Sequence, residues 1–288
     1  MNRAKLQFLG AMGIFGTVGI FVKFIPLSSA SVAFFRGMLG VVFLLLVMLL
    51  GKKGFDKQAV KRNLPILVFS GAAIGINWIL LFESYRYTTV ATATVCYYLA
   101  PLFLLLASPL IGERLTVKKL CCIGVALIGL VFVSGMMEGG LPSLSELAGV
   151  GLGIGAAVFY ATVMVLNKKL SPIPAYDKTV IQLTAASLVI LPYLLFTGEL
   201  SLSALSPLPL ILLFVVGIVH TGISYALYFG SMKALSAQSI AVFSYLDPVI
   251  AVLLSALFLK EGITVWGIAG TVLILGSALY SELPSKNK

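Results

Sequence analysis

Four ionisable side chains stand within long apolar stretches: Arg36, Glu83, His220 and Asp247. A charge held in hydrocarbon is costly, so such a residue is by default a binding or proton-carrying group. The carboxylates of Glu83 and Asp247 can take up a proton or hold a cation, and a histidine titrates near neutral pH. These three are the proton-coupling candidates. Aromatic side chains occupy the same stretches: Trp78, Tyr97, Tyr98, Tyr225 and Tyr245. Deep tyrosines beside a carboxylate suit a cationic or zwitterionic amine, through cation–π contact and charge pairing. Asn77 and Ser224 add neutral hydrogen-bonding groups. The expected substrate-binding set is therefore Asn77, Trp78, Tyr97, Tyr98, His220, Ser224, Tyr225, Tyr245 and Asp247. Arg36, Pro101 and Pro248 are expected to shape or gate the cavity.

Each of these residues also has a structural alternative. Asp247 could cap backbone loosened by Pro248, since proline removes a donor and bends a helix. Glu83 could pair with Arg86 one turn on. His220 could bond a neighbouring helix, and Arg36 could reach the outer interface or a partner carboxylate. Catalysis has little to work with. One histidine and scattered serines supply no nucleophile–base pair, no P-loop appears, and no metal or cofactor is expected.

The elements that must position these groups are helices in a bilayer. Hydrophobic residues make up 60% of 288 positions and charged residues only 10%, a balance foreign to soluble domains. A bilayer span takes about 20 mostly apolar residues, and ten such segments fit, near 6–24, 30–50, 64–84, 91–111, 120–134, 147–167, 179–196, 207–228, 239–259 and 265–280. The net charge of +10 comes from short connectors rather than from a basic stripe interleaved with aromatics. Nucleic acid is thus not an expected partner; the bilayer and a small molecule are. Cys96, Cys121 and Cys122 read as small core residues. Arg3 and Lys5 before an apolar run imitate a signal peptide, but an uncleaved first span is needed to complete the pattern described next.

The chain repeats itself at an offset of about 147 residues: Tyr98-Leu99-Ala100-Pro101 lies on Tyr245-Leu246-Asp247-Pro248, and Phe82 and Ser84 lie on Phe229 and Ser231. A period this long means a duplicated fold. The halves are 1–139 and 140–288, each with five spans. At the repeat positions Glu83 faces Gly230, Asp247 faces Ala100, His220 faces Ala73, and Arg36 faces Gln182, so the fold forms in one half without each charge. With the amino terminus in the cytoplasm, 16 of the 20 lysines and arginines lie inside and Lys23, Arg86 and Lys260 lie outside. That asymmetry orients both termini to the cytoplasm. An odd number of spans per half makes the repeats inverted. Counting about 1.5 Å per residue puts Asp247 roughly 12 Å and His220 about 20 Å from opposite faces, at similar depth. Glu83 and Arg36 share the outer half and are expected to interact.

Phe15-Gly16-Thr17 through Lys23, Arg36, Gly112-Glu113-Arg114-Leu115, the two Tyr-Leu-Xaa-Pro segments and Lys260-Glu261-Gly262 together resemble the EamA branch of the drug/metabolite transporter superfamily. The resemblance implies ten helices around one central cavity, and movement of amino acids, related metabolites or other small solutes, often outward. Glu83 departs from it, since the family usually has a small residue there.

The expectation is an all-α protein of the plasma or inner membrane, a secondary transporter of a small polar metabolite, most simply an amino acid or amine, working by alternating access with proton coupling. A passive channel and an intramembrane lipid-modifying enzyme are the rivals. Monomer and homodimer are equally open.

Overall fold

A computed structural model describes the chain from Arg3 to Glu282, except residues 53, 108, 110–116, 134–136, 138–142, 201–204, 233–242 and 244–245. All the regular elements among the described residues are helical: α1 (Arg3–Lys23), α2 (Ser29–Leu50), α3 (Lys57–Tyr87), α4 (Val90–Tyr97), α5 (Ala100–Leu106), α6 (Val117–Val133), α7 (Leu144–Lys168), α8 (Ala175–Thr197), α9 (Pro207–Gly217), a π segment (Ile218–Ile223), α10 (Ser224–Met232), α11 (Leu246–Phe258) and α12 (Val265–Glu282). Helix ends follow local chemistry. Ser28, Asp56 and Thr89 accept backbone N–H groups at the starts of α2, α3 and α4, and Ser143 with Glu146 closes a capping box on α7, satisfying donors that a helix start leaves open.

Among the described residues, six helical stretches are long and apolar enough to cross a bilayer: α1, α2, α3, α7, α8 and Pro207–Tyr228. Four of the ten expected spans correspond to shorter apolar helices, Val90–Leu104, Leu120–Val133, Leu246–Phe258 and Val265–Ser277. Two departures have a physical cause. The expected kink in the fourth span is a break, with α4 ending at Tyr97 and α5 starting at Ala100. Leu99 and Ala100 precede Pro101, whose ring disfavours helical backbone just before it and which lacks the N–H a continuous helix would need. Pro248 lies in α11, whose described residues begin at Leu246. The third helix also begins seven residues earlier than hydropathy suggests, because Asp56 caps it and Lys57, Lys61 and Arg62 lie on its first turns. The expected boundary between halves at 139/140 lies outside the described residues.

Many large apolar side chains face outward, and a set of polar groups is inside. Leu49, Leu50, Phe69, Phe196, Leu208 and Leu257 are exposed, whereas Arg36, Asn63, Ser70, Asn77, Gln182, His220 and Thr221 are buried. This is what lipid as solvent demands.

Packing joins the halves. Helix α2 lies against α8, α9 and the π segment, α3 against α7 and α8, and α1 against α10 and α11. Helices α4 and α5 lie against α7, and α6 against α12. Close approaches use glycine: a Cβ on Gly270 would stand 2.5 Å from the carbonyl oxygen of Gly129, and one on Gly71 2.5 Å from that of Gln182. Small residues let membrane helices approach backbone to backbone.

Candidate functional site

The first turn of α11 carries Asp247, and the end of α4 carries Tyr98. The Tyr98 hydroxyl donates to Asp247 Oδ2 at 2.6 Å. The two corresponding Tyr-Leu-Xaa-Pro segments thus meet through the hydroxyl of one and the carboxylate of the other. The helix break at residues 98–99 ends α4 beside Asp247 of α11.

Tyrosines extend this site. The Tyr97 ring packs edge-on to Tyr98 at 5.8 Å and stacks on Tyr160 of α7 at 5.1 Å with 12° between planes. The Tyr225 ring meets Phe15 of α1 at 5.5 Å. Tyr97, Tyr98, Tyr160, Tyr225 and Asp247 all retain some accessible surface, although they lie well inside the helix assembly.

Helix α2 contributes Arg36, only 5% exposed. Its Nε donates to Thr221 Oγ1 at 2.8 Å, and its guanidinium lies 4.4 Å from the centre of the Trp78 ring and 5.6 Å from that of Phe82. A guanidinium over an aromatic face gains cation–π energy that grows with desolvation. Thr221 is available because the helix is locally a π-helix, in which its hydroxyl bonds Val216 O five residues back. Such one-turn widenings recur at functional sites.

The same segment carries His220, 2% exposed. Its Nδ1 lies 3.3 Å from Val215 O and its Nε2 2.7 Å from Thr17 Oγ1, while Thr17 Oγ1 also lies 2.7 Å from Ile14 O. A carbonyl only accepts, so Nδ1 carries a proton. In a neutral ring Nε2 then accepts from Thr17, whose single proton cannot also serve Ile14 O. A protonated ring donates from both nitrogens and frees the Thr17 proton for Ile14 O.

The remaining expected residues fall elsewhere. Asn77 donates to Ala156 O at 2.6 Å and ties α3 to α7, and Ser224 donates to His220 O within its own helix. Both spend a donor on backbone. Glu83 accepts from Ser29 Oγ at 2.6 Å and pairs with Arg86 at 3.4 Å. The interaction of Arg36 with Glu83, expected directly or across water, is not formed as a direct contact: Arg36 lies on Trp78 and Thr221, and Glu83 near the α3 end. Similar depth did not mean the same side of the helix. Tyr245 lies outside the described residues.

Thr17, Thr221, Tyr160 and Glu261 were not singled out as site residues. Glu261 pairs with Lys23 at 3.8 Å, accepts from Val90 N at the start of α4 at 2.9 Å, and bonds Ser255 Oγ. It joins the ends of α1, α4 and α11, and Lys23 with Lys260-Glu261-Gly262 was its only signal in the sequence. Among the described residues no cluster of histidine, cysteine, aspartate and glutamate could hold a metal ion. A groove of about 350 Å³ between α6 and α12, lined by Cys121, Cys122, Val125, Val272 and Leu273, is apolar and lacks these groups.

Comparison with known proteins gives the family and the fold. A profile of the EamA-like transporter family matches residues 3–135 and again 147–281. The uncharacterized transporter YxxF of Bacillus subtilis is 31% identical over 260 residues, covering 89% of this chain and 82% of the relative. An uncharacterized transporter of Archaeoglobus fulgidus is 29% identical over 273 residues, covering 93% and 92%. The uncharacterized inner membrane transporter YicL of Salmonella typhimurium is 23% identical, covering 100% and 97%. One solved crystal structure shares the fold at a TM-score of 0.66, with 20% identity and 96% of each chain covered.

Proposed function

The chain belongs to the EamA-like transporter family, and on that premise we propose that it is a secondary active transporter of a small polar metabolite carrying an amine. The observation that carries this reading is the Tyr98–Asp247 hydrogen bond, set among partly accessible tyrosines where helices of both halves meet. A carboxylate with aromatic faces around it holds an ammonium group by charge and by cation–π attraction.

Alternating access by two inverted five-helix repeats is the mechanism we propose. Its support is the pairing of contacts under exchange of halves. Helix α2 packs on the π segment and α9 as α8 packs on α3, and α1 packs on α10 and α11 as α7 packs on α3 and on α4–α5. The two separate profile matches, residues 3–135 and 147–281, fall one in each half. Ten spans with both termini in the cytoplasm follow from this reading and from the lysine and arginine asymmetry. A cysteine introduced at Gly140 should react with an impermeant thiol reagent added outside, and one at Gly54 should not, in a background with the three native cysteines replaced. The reverse labelling would overturn the orientation.

Coupling to protons is assigned to Asp247 and His220. Asp247 can exchange a proton for a substrate ammonium. His220 can gain one while keeping its contacts to Thr17 and Val215. Glu83 is already held by Ser29 and Arg86. The test is counterflow in liposomes. Protein loaded with unlabelled amino acid should transiently concentrate the labelled amino acid from outside, with a signal that changes when a pH gradient is imposed. Equilibration without overshoot would mean a channel instead.

A further inference from the structure

Two consecutive residues of α1 touch the two groups assigned to proton coupling. A Cβ on Gly16 would stand 2.7 Å from Asp247 O and 2.8 Å from Cβ of Ile250. Thr17 Oγ1 lies 2.7 Å from His220 Nε2. One turn further on, the Phe21 ring stands 4.8 Å from that of His220. Helix α1 packs on both α11 and the π segment, so a single stretch of its backbone connects Asp247 with His220.

The contacts around His220 count protons. They form a chain of three: Nδ1 to Val215 O at 3.3 Å, Nε2 to Thr17 Oγ1 at 2.7 Å, and Thr17 Oγ1 to Ile14 O at 2.7 Å. Carbonyl oxygens accept at both ends, so each contact needs a proton of its own. Threonine supplies one, and the ring must supply two. Only the imidazolium carries two. In a neutral ring protonated on Nδ1, the Thr17 hydroxyl donates to Nε2 and releases Ile14 O. Its bond to Ile14 O reaches back three residues within α1, and such back-bonding loosens and often bends a helix. The turn it acts on, Ile14 to Thr17, contains Gly16.

The elements packed against the π segment are α1, α2, α9 and α10. Their titratable and charged side chains are Arg3, Lys5 and Lys23 of α1, Arg36 of α2, and Tyr225 and Tyr228 of α10, with none on α9. Arg36 bonds Thr221, the residue next to His220. None of these helices carries a carboxylate. A proton on His220 is therefore held by neutral oxygens, and of the two that face the ring only Thr17 Oγ1 can also donate.

We propose that Thr17 is a positioning residue through which the two proton sites act on each other: its hydroxyl closes onto Ile14 O when His220 takes a proton, and α1, so held, shifts Gly16 against the Asp247 backbone. This rests on the proton-coupled reading above and adds the physical link between its two groups. Linkage makes the effect reciprocal, so a change at Asp247 alters proton uptake at His220.

His220 is the single histidine of the chain. Isotope-labelled histidine therefore reports on it alone, in the full chain purified on a histidine-free tag into detergent micelles. Wild type, Thr17→Val and Thr17→Ser, each with and without Asp247→Asn, are titrated while the ring nitrogens are followed by magnetic resonance. The ring is expected to carry its proton on Nδ1 above the midpoint and protons on both nitrogens below it. Asp247→Asn should displace the midpoint by about half a pH unit or more in the wild-type and Thr17→Ser backgrounds. With Thr17→Val, which keeps the shape and loses the hydroxyl, the displacement should be less than half as large. A displacement equal in all three backgrounds, or absent from all, overturns the proposal, because charge alone then links the sites or nothing does. A neutral ring protonated on Nε2 also overturns it, since Thr17 would keep Ile14 O in both states. So does a ring that stays neutral from about pH 5 to about pH 9. The tautomer needs no variant, and it decides the matter if Thr17→Val fails to fold. Counterflow with labelled standard amino acids keeps the two readings apart. No overshoot in wild type counts against the transporter reading and leaves the resonance result in force. An overshoot that follows the pH gradient equally in wild type and Thr17→Val overturns the Thr17 link alone.

Discussion

Asp247→Asn is expected to abolish concentrative transport in proteoliposomes, by about a hundredfold or more, while leaving expression and thermal stability close to wild type. Asparagine has the same shape, and its side-chain oxygen can still accept from the Tyr98 hydroxyl 2.6 Å away. What is lost is the charge that would hold an ammonium and the group that would take a proton in its absence. A hundredfold loss corresponds to about 2.7 kcal/mol, within what one charged hydrogen-bonded contact supplies. Stability should hold because the variant removes a partly accessible charge rather than creating an orphan. Tyr98→Phe provides the graded comparison. It leaves the carboxylate and removes one hydroxyl, so its loss should be nearer tenfold, about 1.4 kcal/mol. If Asp247→Asn still accumulates substrate against its gradient with unchanged pH dependence, the carboxylate serves only the start of α11.

Much of this site was readable from residue types because hydrocarbon makes charge conspicuous. Asp247 and Arg36 stood out as soon as their apolar surroundings were seen, and both proved to be held by polar or aromatic groups inside the helices. Tyr98 was readable because Tyr-Leu-Xaa-Pro occurs twice. Thr17, Thr221 and Tyr160 were not, since single hydroxyls and tyrosines are ordinary in membrane helices and only their neighbours give them a role. The π segment hid the direction of His220 and Thr221. Its extra residue per turn shifts every later side chain, so faces counted at 3.6 residues per turn go astray. Glu83 shows the limit of depth counting: rise along a helix fixes the layer, but the angle around the axis decides the partner, and that angle turned Glu83 to Ser29 and Arg86. The helix break before Pro101 was legible only as a cavity-shaping proline, because proline chemistry says where a helix is weakened and packing decides whether it separates.

The glycines of α1 give the last expectation, and it separates packing from composition. Gly10, Gly13, Gly16 and Gly19 look alike in sequence, but their surroundings differ. A Cβ at Gly10 would meet nothing within 4 Å, and one at Gly13 only the tip of Ile250 at 3.9 Å. One at Gly16 would stand 2.7 Å from the carbonyl oxygen of Asp247 and 2.8 Å from Cβ and Cγ2 of Ile250. Those atoms are a backbone and the branch point of a stiff side chain, so they cannot turn aside. Gly16→Ala must therefore push α1 from the first turn of α11, the turn that carries Asp247 opposite Tyr98. Overpacking of this kind costs about 1–3 kcal/mol, and a displacement of even 1 Å at a binding group can cost about a hundredfold in function. Gly16→Ala is expected to lower the unfolding temperature in detergent and to remove most transport. Gly10→Ala and Gly13→Ala should leave both near wild type, or slightly raise stability by favouring the helix. Measuring the three side by side decides the matter. Equal effects at all three positions would mean that α1 needs glycine for flexibility along its length, and that its contact with Asp247 is incidental.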